Sequence, residues 1–185
     1  MTNANSNPAE LTELRAKYGW FIALGVLLLL LGAYALLNLF QATIASVYFI
    51  GILMIIGGVA RAVHAFQVEK GGAMIFWLLS GVLYAVGGAM VLANPVLGAA
   101  VFTLLLAASL IASGIVIIVA SFSGKAGQGR WWIFLSGAVT AITGLILAAG
   151  WPLSGVWALG VILGVDLTFQ GWALIAFGLA LKSAK

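Results

Sequence analysis

The sequence predicts an all-α membrane protein: six transmembrane helices forming three parallel two-helix hairpins about a pseudo-threefold axis. Three observations lead there. Of the 185 residues, 64% are hydrophobic and 6% charged, whereas soluble domains carry about 25% charged residues. The mean hydropathy is +1.23. The apolar residues fall in six long continuous runs, not in the alternating ten-residue segments of a transmembrane barrel. Finally, a pattern of an aromatic, two glycines seven apart and a small or polar terminus occurs three times. Trp20, Gly25, Gly32 and Asn38 are followed 56 residues later by Phe76, Gly81, Gly88 and Asn94, and another 56 on by Trp132, Gly137, Gly144 and Gly150. A period of this size sets the architecture before any local reading does.

Residues 1–17 read as a polar N-terminal tail, with Glu10 to Lys17 a short lead-in on the membrane surface. The first span is Tyr18 to Asn38. Two cations, an apolar run and Ala33-Tyr34-Ala35 also fit a cleaved signal, but the same pattern recurs twice deeper in the chain. Leu39 to Thr43 reads as an uncharged link, and Ile44 to Phe66 as the second span. Gln67 to Met74 is a turn, and the third span is Ile75 to Ala93. Asn94-Pro95 makes the next turn, since proline stops the helix and pushes its predecessor out of the α region. The fourth span is Gly98 to Phe122, and Ser123 to Arg130 is a Gly-rich turn. The fifth is Trp131 to Gly150, ending at Trp151-Pro152, and the sixth is Val156 to Leu181. The six-span domain thus covers 18–185, in repeats of about 18–73, 74–129 and 130–185.

The charges orient these spans. Arg15, Lys17, Lys70, Lys125, Arg130, Lys182 and Lys185 all fall on the tail, the second and fourth turns and the C-terminus, while the other three turns hold none. That asymmetry places both termini in the cytoplasm. It also accounts for the net charge of +4 without a nucleic-acid partner, since no basic patch with interleaved aromatics exists. The lipid bilayer is the expected partner, with a second copy or other membrane proteins as further candidates. Because each repeat holds two spans, every copy enters the membrane in the same direction, and parallel repeats are related by an axis along the membrane normal. Gly58 and Gly114 are 56 apart, but Gly171 lies 57 beyond Gly114. One residue has entered the last copy near Trp151-Pro152.

Helices in lipid associate by close packing, so small residues mark their contacts. Gly25 and Gly32, Gly81 and Gly88, and Gly137 and Gly144 each share a helix face, and Gly160 and Gly164 make a small-xxx-small step. These eight glycines are expected packing residues. The phosphate-cradle alternative needs a strand before a helix start, and these lie inside apolar helices. Trp20, Trp77, Trp131, Trp132, Trp151 and Trp157 stand near span ends, as an interfacial belt does.

Few side chains could carry chemistry. The chain has no cysteine and one histidine, so no disulfide, thiolate metal site or cofactor is expected. No nucleophile, base and orienter stand together, so no enzyme is expected either. Asp166 is the sharpest feature, well inside the sixth span. An ionised carboxylate there costs about 2.5–3.5 kcal/mol on insertion scales. Holding it protonated at pH 7 costs roughly 4 kcal/mol, so its charge state is open. Gln170, one turn on, can donate to it. Two readings stand: a hydrogen-bonded structural carboxyl within a helix interface, and a proton-responsive or ion-pathway group. Arg61 lies about 7 Å from the inner end of its span and Asp166 about 22 Å from its own. A snorkelling Arg61 is therefore favoured over an Arg61–Asp166 pair. His64, near the same end, lacks carboxylates at metal-ligand spacing.

The six short-looped spans and the hairpin Trp20/Gly25/Gly32/Asn38, repeated as Phe76/Gly81/Gly88/Asn94-Pro95, resemble the HdeD family of bacterial acid-resistance membrane proteins. The resemblance covers Tyr18 to Lys182, and the third copy departs from it at Gly150 and Pro152. It implies an inner-membrane protein tied to survival at low pH, and it supplies no catalytic residues. The leading expectation is a non-enzymatic multi-pass inner-membrane protein in acid or envelope stress. A small proton or solute channel and a scaffold for other membrane proteins are the alternatives.

Overall fold

The structure is a computed structural model, described here for residues 18–67, 71–122 and 129–183. The N-terminal tail and Lys17, the Glu69 and Lys70 turn, Lys125 and Lys185 lie outside the described residues. Six helices are long and apolar enough to cross a membrane: α1 (Tyr18–Leu37), α2 (Leu39–Ala65), α3 (Gly72–Ala93), α4 (Pro95–Ser121), α5 (Arg130–Ala149) and α6 (Ala158–Ser183). At 1.5 Å per residue they run about 30–40 Å, enough to span the hydrocarbon.

The side chains are sorted by size rather than by polarity. Buried apolar residues are mostly alanines, among them Ala35, Ala42, Ala65, Ala99 and Ala107, while Trp20, Leu30, Phe49, Phe76, Val116 and Phe169 are exposed. Lipid solvates large apolar side chains, and small ones let backbones approach. Several hydroxyls are satisfied within their own helices. Ser46 donates to the Ala42 carbonyl, Thr140 to that of Ser136 and Thr143 to that of Val139. Hydrocarbon offers them no other partner.

The chain forms two compact units, one from the segments ending at Asn38 and starting at Val161, the other Leu39–Gly160. Within the larger unit, α3 packs along α2, and α5 along α4. Within the other, α1 packs along α6. The packed pair is thus out of phase with the sequence repeat by one helix, since α3 meets α2 far more extensively than α4. The reason lies in the seams. A Cβ on Gly58 would stand 2.6 Å from the Gly81 carbonyl oxygen, and one on Gly81 would stand 2.7 Å from that of Gly58. The same reciprocal contact joins Gly25 and Gly171, at 2.7 and 2.8 Å. In α4–α5, a Cβ on Gly137 would meet the Gly114 carbonyl at 3.0 Å. Two turns away, Gly88 meets Gly51, Gly144 meets Ala107 and Gly32 meets Gly164. Each odd helix carries the glycine face that fits an even helix, and no side chain separates their backbones.

The links at Asn38 and Asn94 are shorter than the sequence suggests. Leu39 to Thr43 is the first turn of α2, not a link, leaving Asn38 alone between α1 and α2. Asn94 likewise stands alone between α3 and α4. Its N–H donates to the Met90 carbonyl at 3.1 Å, closing α3, and its Oδ1 accepts from Leu97 N–H at 3.1 Å, opening α4. Pro95 follows at the first position of α4, where no N–H is needed. In the third copy Gly150 has no side chain with which to cap. There the chain makes a 3-10 turn, Leu153–Val156, before α6. Ser154 donates to the Leu147 carbonyl at 2.8 Å, and Trp151 Nε1 donates to that of Ala100 at 3.1 Å.

Candidate functional site

The residues singled out in the sequence fall into three groups. Gly25, Gly32, Gly81, Gly88, Gly137 and Gly144 lie in the seams described above. Gly164 lies against Leu36 in the α1–α6 seam, and Gly160 against the Leu39 carbonyl. The Gly160 N–H, near the start of α6, donates to Thr43 Oγ1 at 2.9 Å. A threonine on α2 therefore serves as an N-terminal cap for α6. Sequence reading missed Thr43, and a hydroxyl 117 residues away leaves no local signal. It also passed over the seven-residue runs Gly51, Gly58, Ala65 and Gly164, Gly171, Gly178, all buried. That spacing was visible in the letters.

The second group is the cation near the C-terminal end of α2. The Arg61 guanidinium lies 4.2 Å from the centre of the Tyr84 ring on α3. It is half-buried and held by a cation–π contact rather than simply reaching for water. His64, one turn on, meets Trp77 edge-to-face with ring centres 5.0 Å apart. Where α4 ends and α5 begins, Arg130 lies 5.4 Å from the Phe122 ring. A cavity of about 340 Å³ there is lined by Ser121, Phe122, Arg130, Trp131 and Phe134. A second cavity, of about 350 Å³, is lined by Asn94, Leu97, Ala100, Pro152 and Val156. Among the described residues, no group of three His, Cys, Asp or Glu could hold a metal ion.

The third group is Asp166 and Gln170. Gln170 Nε2 donates to Asp166 Oδ2 at 2.6 Å. Both side chains are exposed, which departs from the expectation of a carboxyl enclosed in a helix interface. The physical reason is rotational. The seam of α6 is Gly164, Gly171 and Gly178, and Asp166 lies two residues, or roughly 200°, round the helix from Gly164. A helix whose glycines face its partner must present Asp166 outward.

These features define a multi-pass helical membrane protein made of a repeated unit, with its polar intramembrane pair on the outer surface of one helix. The chain belongs to the family described as a short repeat of unknown function (DUF308), which matches residues 23–93 and 79–149. The two matches start 56 residues apart, the spacing of the glycine pattern. No curated protein and no solved structure matches the chain.

Proposed function

We propose that this is a non-enzymatic inner-membrane protein of bacteria acting in resistance to acid or envelope stress. In this reading both termini lie in the cytoplasm and the three parallel two-helix hairpins of the sequence repeat stand about a pseudo-threefold axis. The resemblance to the HdeD family and the membership of the repeat family support it. The observation that carries it is the Asp166 carboxyl within α6, exposed and hydrogen-bonded to Gln170 of its own helix. An ionised carboxylate at such a position costs about 2.5–3.5 kcal/mol. The charge carried at this position therefore governs how this face meets its surroundings, which makes the carboxyl a candidate switch. The test is Asp166→Asn, which is neutral at every pH. Acid survival of cells carrying it at normal membrane levels is expected to fall, and unchanged survival rejects the switch.

The scaffold reading gains from the same geometry more than the channel reading does. Paired helices touch backbone to backbone at Gly58–Gly81 and Gly25–Gly171, which leaves no path along those seams. The polar pair faces outward, where another membrane protein can reach it. Reconstituted vesicles are expected to pass no protons above the lipid background, and a flux abolished by Asp166→Asn would restore the channel.

A further inference from the structure

Among the described residues, the exposed face of α6 is the one that carries a carboxyl. It places a carboxyl and an amide inside a span, with Ala173 and Ala180 continuing at seven-residue intervals from Asp166, both exposed. Bulk flanks this stripe: Phe169 is 72% and Trp172 61% exposed. The corresponding positions elsewhere are quiet. On α4 they are Ser109 and Ser113, whose hydroxyls donate to the Leu106 and Leu110 carbonyls of their own helix at 2.8 and 3.2 Å. On α2 they are Leu53 and Gly57.

We propose that this face of α6 packs against the same face of a second copy of the chain, forming a two-fold dimer within the membrane. The hydrogen-bond inventory selects the occupant. Gln170 spends one N–H on Asp166, which leaves a second N–H and its carbonyl oxygen. The carboxyl has further lone pairs and, when protonated, a donor. A face with donor and acceptor one turn apart is complementary to itself. A two-fold axis along the membrane normal sets each residue opposite its own copy, so the two pairs can satisfy one another. Ala173 and Ala180 let the backbones approach, as the glycines do on the opposite side of the same helix. Because α4 and α2 carry no equivalent pair, each chain has one such surface, and the assembly closes at two.

This inference stands apart from the role in acid survival, and its test separates the two. The chain has no cysteine, so Ala173→Cys introduces a single thiol on the proposed interface. Val116→Cys puts one at the corresponding, 66% exposed position of α4. The full chain is reconstituted in phospholipid vesicles at high lipid-to-protein ratio and oxidised with copper phenanthroline. Ala173→Cys is expected to give disulfide-linked dimer and Val116→Cys only a trace. Equal cross-linking of the two, or none at Ala173→Cys, overturns the proposal, and neither result depends on altering Asp166. Adding Asp166→Leu is expected to reduce the dimer roughly three- to tenfold. Adding Asp166→Asn is expected to preserve it, since an amide still hydrogen-bonds. A dimer untouched by Asp166→Leu in a folded protein also overturns it. Loss of acid survival in Asp166→Asn with the dimer intact would separate the proton switch from the interface.

Discussion

The α2–α3 and α4–α5 pairs are built alike along their seams and differently at their ends. Both bring glycines of facing helices together at equivalent heights, Gly58 with Gly81 and Gly114 with Gly137. At one end, the first pair sets Arg61 over Tyr84 and the second sets Arg130 near Phe122. At the other end, α4 is entered through a single asparagine, whereas α5 leaves through a 3-10 turn. The seam is a constraint of volume, which allows no substitute for a missing side chain. The ends need only satisfied backbone groups and a placed cation, and several arrangements supply those.

The largest expected effect falls on the seams. Gly81→Val and Gly137→Val should each cost about 3 kcal/mol, at the upper end of overpacking penalties, read as unfolding in mixed micelles. Because both seams meet backbone, the two losses should agree. Gly57→Ala, on the same helix as Gly58, should be tolerated, since its Cβ would meet Tyr84 at 3.6 Å. A large cost there would show that the seam contacts are not what distinguishes these glycines.

A smaller effect belongs to the links at Asn94 and Ser154. Asn94→Ala removes the side-chain cap of α4 and should cost about 1 kcal/mol. Ser154→Ala removes the hydrogen bond to Leu147 in the third copy and should cost a similar amount. If one is silent and the other severe, the two links are not equivalent solutions to one capping problem.

The smallest effect should separate the two ends that carry a cation. A double-mutant cycle of Arg61→Gln with Tyr84→Leu should give a coupling of about 1 kcal/mol, and Arg130→Gln with Phe122→Leu about 0.5 kcal/mol or less. The difference follows from the distances, 4.2 Å against 5.4 Å. A reversed order would mean that the cations are held by lipid rather than by the rings.

Six spans, the 56-residue period and the glycine faces were legible in the letters, because each is a matter of hydropathy or spacing along one helix. Asp166 was legible as an anomaly for the same reason. Which helix each glycine face meets was not legible. Seam spacing is identical in every copy, so Gly81 and Gly88 fit the preceding helix and the following one equally well on paper. The outward turn of Asp166 depended on that choice, and so did the meeting of Arg61 with Tyr84. Thr43 reached Gly160 for a reason no local pattern carries, namely that a helix start needs an acceptor and the fold brought one from α2.

By itself the sequence determined the solvent, the number and length of the helices and the face of each that lacks bulk, since lipid and helix geometry act on every residue locally. Only the tertiary structure decided that α3 leans on α2, that α1 packs along α6, and that the carboxyl on α6 looks away from its own helix pair. Those outcomes depend on which surfaces fit together in space, and fit is a property of two helices at once.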